Sequence, residues 1–227
     1  MDYYFISYGF VILAFILTTL AQFFVTLTYK KYSNDRIERN LTGAKAARNL
    51  LDKNNLQNVQ VVEVNGYLTD HYDPNEKVVR LSSNNYHGSS ISSVSVACHE
   101  CGHAIQDKEG YVFMRIRAAI VPIVNFSSYM GYISIVLGML FGAINLIRLG
   151  IILETVILLF QVITLPVEID ASKRALKELD YSHFFNSDEL EKGKKVLTAA
   201  ALTYVASVAS TLLQILRLLL MFGRRDN

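Results

Sequence analysis

Disulfide chemistry has almost no raw material in this chain: of 227 residues only Cys98 and Cys101 are cysteine. Three positions apart on one predicted helix, they sit too close to bridge comfortably, so no disulfide framework is expected. Charge is scarce too, at 19% of residues against roughly 25% in soluble domains. Neither sign dominates, with 22 basic and 20 acidic residues for a net +2, and this removes the electrostatic ground for a nucleic-acid partner. Apolar residues are plentiful instead, at 52% with a mean hydropathy of +0.27. The 12 Phe and 13 Tyr are far too many for a disordered chain. The length is that of one or two compact domains.

The apolar residues are concentrated in runs. No charge occurs between Tyr3 and Tyr29, and Phe10 to Thr28 alone would span a bilayer as a helix. A signal peptide would open with positive charge and close on a small-residue cleavage site. Here Asp2 precedes the run and Lys30-Lys31 follow it, which reads as a retained anchor. Further runs cover Ala118 to Ile147, Leu149 to Val167 broken only by Glu154, and Val196 to Leu216, interrupted by Arg217 and closed by Phe222. The expected division is an anchor at 5–28, a water-facing domain at 30–117, a hairpin of two spans at 118–167, a polar helix at 168–195 and a fourth span at 196–222.

The hairpin should turn near Arg148, and Gly138 and Gly142 have the GxxxG spacing that lets helices approach closely. Most of the 22 Lys and Arg lie between the first and second runs or between the third and fourth. The positive-inside rule then puts both of those segments in the cytoplasm and the N-terminus outside, against the mild objection of Arg224 and Arg225. Glu154 is costly inside a span and should face the bundle or pair at the interface near Arg148.

Within 30–117, Thr42 to Asn54 reads as a helix with Ala44, Ala47, Leu50 and Leu51 on one side. Val59 to Val64 and Lys77 to Leu81 read as strands, with a β-turn at Asp73-Pro74-Asn75-Glu76. The second of these strands is a candidate edge able to bind an extended peptide by strand addition.

His99-Glu100-Cys101-Gly102-His103 spells HExxH. On a helix the two histidines fall within about 40° of each other, so both imidazoles reach one Zn²⁺. Glu100 points off that face yet stays near enough to take a proton from water at the metal as general base. Ser89, Ser90 and Ser92 are N-cap candidates, and Val94, Val96, Ala97, Ala104 and Ile105 form the buried side. Asp107 and Gly110 are plausible terminators. The helix is too polar to be a span itself, which places the site at or just above the cytoplasmic membrane surface.

Zinc held by two histidines needs a third protein ligand and one open position. Glu168 is the candidate. Pro166 can open a new helix, on which Glu168, Ser172 and Ala175 share a face while Asp170 and Arg174 pair at i,i+4. Asp170 is the competing ligand. Cys98 and Cys101 lie roughly 100° or more from the histidine face and read as small core residues. His71 could line the cleft but reads more simply as a polar loop residue, and neither His87 nor His183 has an evident partner.

Tyr72-Asp73-Pro74, Val78 to Ser82 and Ser95 to Gln106 together resemble the YugP-like neutral zinc metallopeptidases of bacterial membranes. Leu165 to Ala175 looks like that family's second signature, and the likeness extends over nearly the whole chain, including the four apolar runs. The resemblance implies a membrane-embedded gluzincin, similar in plan to the HtpX and CAAX-prenyl-protease groups. It assigns His99, His103 and Glu168 as Zn²⁺ ligands and Glu100 as general base. Those better-studied groups usually carry, four residues after the glutamate, an aspartate that supports a zinc histidine, and this chain has Ser172 there.

The expected fold is a mainly α membrane protein with about four spans and a small cytoplasmic α+β zinc-peptidase domain. Its partners would be a polypeptide substrate and the lipid bilayer. The expected activity is zinc-dependent hydrolysis of membrane or membrane-proximal polypeptide at the cytoplasmic face, with substrate held along Lys77 to Leu81. The alternative is a non-enzymatic membrane protein with a closed structural zinc site, completed by His71 or His87. A metal transporter is weaker, because Glu154 stands alone within the spans.

Overall fold

A long uncharged run can satisfy its whole backbone within itself in lipid by coiling into a helix, and the computed structural model has four such helices among the described residues. The structure describes residues 2–222, with side chains from residue 6 to residue 222; Arg224 and Arg225 lie outside the described residues. In chain order the elements are α1 (Asp2–Ser33), α2 (Gly43–Lys53), β1 (Gln60–Val64), β2 (His71–Asp73), β3 (Val78–Ser82), α3 (Ser83–His87), α4 (Ile91–Glu109), α5 (Val112–Phe141), α6 (Ile144–Tyr181) and α7 (Ser187–Phe222). By length and composition α1, α5, α6 and α7 could each cross a membrane. The chain is therefore mainly helical, with one small three-stranded sheet.

The residues fall into two units. The first holds residues 2–22, 116–165 and 203–222. Phe15, Ile123, Phe126 and Leu140 are exposed there, a surface suited to lipid rather than water. On α5 the buried positions Val124, Ser127, Gly131, Ser134 and Gly138 alternate in steps of three and four, forming a seam of mostly small residues. A Cβ on Gly138 would come within 2.9 Å of the Ile147 backbone nitrogen. Gly142 instead takes φ +64° in the turn before α6, with nothing near its missing Cβ. The expected Gly138–Gly142 pair is thus replaced by the seam at 127, 131, 134 and 138, because the helix ends before Gly142.

The second unit comprises 23–115 and 166–202. Thr42 caps α2, its hydroxyl accepting from the Lys45 amide at 3.3 Å. Ala46, Ala47, Leu50 and Leu51 are all fully buried, and each such leucine contributes about 1.5–3 kcal/mol. They pack in one core with Val59, Val79, Leu81, Val94, Ala97, Cys98 and Cys101.

The sheet order is β1-β3-β2, with β1 parallel and β2 antiparallel to β3. This corrects the expectation of a peptide-binding edge at Lys77 to Leu81. β3 is the central strand, its backbone engaged on both sides, and four of its five residues are buried. A second correction concerns Pro166, which lies inside α6 and does not start a helix. A proline costs an interior helix one hydrogen bond. Here Val167, Ala171, Ala175 and Leu179, all fully buried at four-residue spacing, carry the helix onward.

Candidate metal centre

Helix α4 begins where Ser90 Oγ accepts from the Ser93 amide at 3.1 Å and ends at Gly110 in the left-handed region, φ +66°. Within it Gly102 sets how near α6 can come. A Cβ at that position would stand 2.5 Å from the Ala171 carbonyl oxygen, so only glycine admits the observed approach. Ala171 and Ala175, fully buried, keep the facing side of α6 equally thin.

That approach delivers Glu168 to the two histidines. Glu168 Oε2 lies 3.3 Å from His99 Nε2 and 3.6 Å from His103 Nε2. The rings meet edge to face, with centroids 4.8 Å apart. The three ligand atoms all fall within 4.8 Å of one another and could hold a metal ion. Around a tetrahedral Zn²⁺ with bonds of roughly 2.0–2.1 Å, neighbouring donors stand about 3.3–3.4 Å apart. The donor set and its spacing therefore fit zinc.

Glu100 is buried on the same helix. Burial drives its carboxyl above the usual range; the charges of His99 and His103 pull it back, and Glu168 and Asp70 raise it again, for a net increase. Burial also opposes charge on His103, but the hydrogen bond and charge of Glu168 outweigh it and leave the imidazole raised.

Each histidine is engaged at its far nitrogen. His99 Nδ1 lies 3.2 Å from Ser172 Oγ. His103 Nδ1 lies 3.0 Å from Gln106 Oε1. The amide of Gln106 donates at 2.8 Å both to the Val167 carbonyl and to Asp170 Oδ2. Arg174 Nε donates to the same Asp170 oxygen at 2.5 Å and its Nη1 to Glu109 at 2.6 Å. Asp170, the rival ligand, is thus occupied by Gln106 and Arg174 rather than by the histidines. The contact of Gln106 was missed in the sequence, although its place three residues after His103, on the same helical face, is a signal that could have found it.

The other candidates lie apart from the cluster. His71 is exposed on β2 with Nδ1 2.8 Å from the Thr69 carbonyl. His87 Nε2 is 3.0 Å from Glu63 Oε2, a partner the sequence had not supplied. Cys98 and Cys101 are free and fully buried, and burial pushes both thiols up. Asp107 does more than end the helix: it accepts from Tyr72 Oη at 2.7 Å and Lys77 Nζ at 2.5 Å, tying β2 and the following turn to α4. Asp70 accepts from the Ser82 amide and Asn85 Nδ2, each at 2.8 Å, which fixes the loop entering β2.

Residues 7–223 match the family described as "Putative neutral zinc metallopeptidase". Over 209 residues the chain is 47% identical to a protein of Bacillus subtilis (strain 168) described as "Putative membrane protease YugP", covering 91% of this chain and 93% of that one. No solved structure matches. A family match over nearly the full length and close identity to a relative of the same extent lead to one conclusion: the chain belongs to the neutral zinc metallopeptidase family.

Proposed function

We propose that this protein is a membrane-embedded zinc endopeptidase that hydrolyses peptide bonds of membrane or membrane-proximal polypeptides at the cytoplasmic face. The observation that carries the reading is the convergence of His99 Nε2 and His103 Nε2 on one oxygen of Glu168, beside Glu100. His99, His103 and Glu168 would hold Zn²⁺ and leave a position open for substrate. When bound, zinc supplies Lewis acidity that polarises the scissile carbonyl and acidifies water. Glu100 takes the proton of the attacking water as the oxygen bonds to the carbonyl carbon. It then delivers that proton to the amide nitrogen as the C–N bond breaks.

The same proposal includes the division into spans at 5–28, 118–167 and 196–222 with water-facing segments at 30–117 and 168–195. The distribution of Lys and Arg supports a cytoplasmic placement of those segments. With β3 enclosed, an extended substrate would add along β2, the edge strand that Tyr72 ties to α4. The rival reading, a closed structural site, needs a fourth ligand. His87 is held by Glu63 and His71 by the Thr69 carbonyl, which supports an open position instead.

The test is zinc stoichiometry on detergent-purified protein with cleavage of an unfolded model polypeptide. One zinc per chain is expected in wild type, lost in His99→Ala and Glu168→Ala. Glu100→Gln should keep the metal and lose cleavage by orders of magnitude. Zinc retained in Glu168→Ala removes the third ligand, and cleavage unimpaired in Glu100→Gln removes the base.

A further inference from the structure

A histidine presents a lone pair at only one nitrogen when neutral, and the partner of the other nitrogen decides which one. For His103 that partner is a side-chain amide, whose orientation would ordinarily be ambiguous. The surroundings of Gln106 remove the ambiguity. Its Nε2 lies 2.8 Å from the Val167 carbonyl and 2.8 Å from Asp170 Oδ2, two groups that accept hydrogen bonds. Both amide hydrogens are therefore spoken for, and the atom turned toward His103 is the oxygen. Gln106 is fully buried, so reversing the amide would set its oxygen against a carbonyl and a carboxylate with no water to relieve them. Oε1 can only accept, so His103 Nδ1 must carry hydrogen at the 3.0 Å contact. The nitrogen left to lose its proton is Nε2, which faces Glu168 at 3.6 Å.

We propose that Gln106 is a positioning residue for the metal centre: anchored to α6 through Val167 and Asp170, it holds the His103 ring with Nδ1 protonated and Nε2 directed at the ion. The anchor has its own support. Arg174 bridges Asp170 and Glu109, so the chain Glu109–Arg174–Asp170–Gln106–His103 leaves α4, crosses to α6 and returns. The same α6 segment carries Glu168, so one set of hydrogen bonds orients a histidine and registers the helix bearing the carboxylate against it. The inference rests on the reading of His99, His103 and Glu168 as a metal site, and its test separates the two.

The full-length protein, labelled with ¹⁵N at its histidines and held in detergent, is compared with Gln106→Leu. Long-range ¹H–¹⁵N spectra of the metal-free protein are recorded well above the histidine titration, with His103 assigned by its own substitution. Zinc affinity is measured by competition with a chromophoric chelator. Wild type is expected to show His103 protonated at Nδ1. Gln106→Leu is expected to lose that preference and to bind zinc about 10–100-fold more weakly, with stoichiometry still one. A merely structural role would lower the melting temperature without moving the tautomer. His103 protonated at Nε2 in wild type overturns the proposal, and that measurement stands even if the leucine variant fails to fold. An unchanged tautomer or unchanged zinc affinity in a folded Gln106→Leu overturns it equally. Failure of wild type to bind zinc would strike the metal-site reading, while the tautomer of the metal-free protein would still be read.

Discussion

Two small residues, Gly102 and Ser172, stand at the contact of α4 with α6 around the candidate centre. At Gly102 a methyl group would meet the Ala171 carbonyl at 2.5 Å, and a backbone atom cannot swing aside as a flexible side chain does. Gly102→Ala is therefore expected to cost about 1–3 kcal/mol through overpacking. It should also weaken zinc binding at least tenfold by spreading α4 from α6. Thermal melting and chelator competition check both effects. Gly9→Ala, where nothing lies within 4 Å of the missing Cβ, should cost no stability and leave zinc binding unchanged. Ser172 Oγ faces His99 Nδ1 at 3.2 Å. Ser172→Ala is expected to weaken zinc binding about 10–100-fold, and Ser172→Asp should restore it, as read by the same competition assay. The shared face of the HExxH histidines was legible because helical periodicity alone puts His99 and His103 side by side. The contacts of Ser172 and Gln106 with the histidines were not, since a serine or glutamine has many bland uses and only the fold selects its partner.

Among the elements, α4 is the one most completely written in local sequence. A serine before an apolar-faced run and a glycine after it define both ends, and the structure uses Ser90 and Gly110 for them. Ser90→Ala should lower stability by about 1 kcal/mol, measured by thermal or denaturant unfolding, with zinc stoichiometry unchanged. The sheet was less legible. β2 spans only His71–Asp73, too short for alternation to register, and without it β3 looked like an edge. The near-continuous burial of β3 is the pattern of a strand covered on both faces, and Val78-Val79 beside Leu81 already hinted at it. Pro166 misled for a different reason. Proline is a local signal for a helix start, but packing at Val167, Ala171, Ala175 and Leu179 outweighs one missing hydrogen bond.

For the molecule as a whole, orientation in the bilayer is the prediction of widest reach. Cys98 and Cys101 are fully buried, so a cysteine added at an exposed position should react alone. Gln57→Cys, in the segment after α2, is expected to resist a membrane-impermeant maleimide in intact cells and to react after lysis. Asn145→Cys, at the start of α6, is expected to react in intact cells; the reverse pattern would invert the proposed topology. The membrane character, the helical class and the candidate HExxH group were already present in the chain, because each rests on local properties: an uncharged run long enough to span, a repeat that matches the helical turn, a motif within five residues. The meeting of His99 with Glu168, 69 positions apart, the turning of His103 by Gln106 and the enclosure of β3 are properties of contact between elements. No local propensity encodes them, since they exist only once Gly102 and the alanines of α6 let two helices approach and three strands find their order.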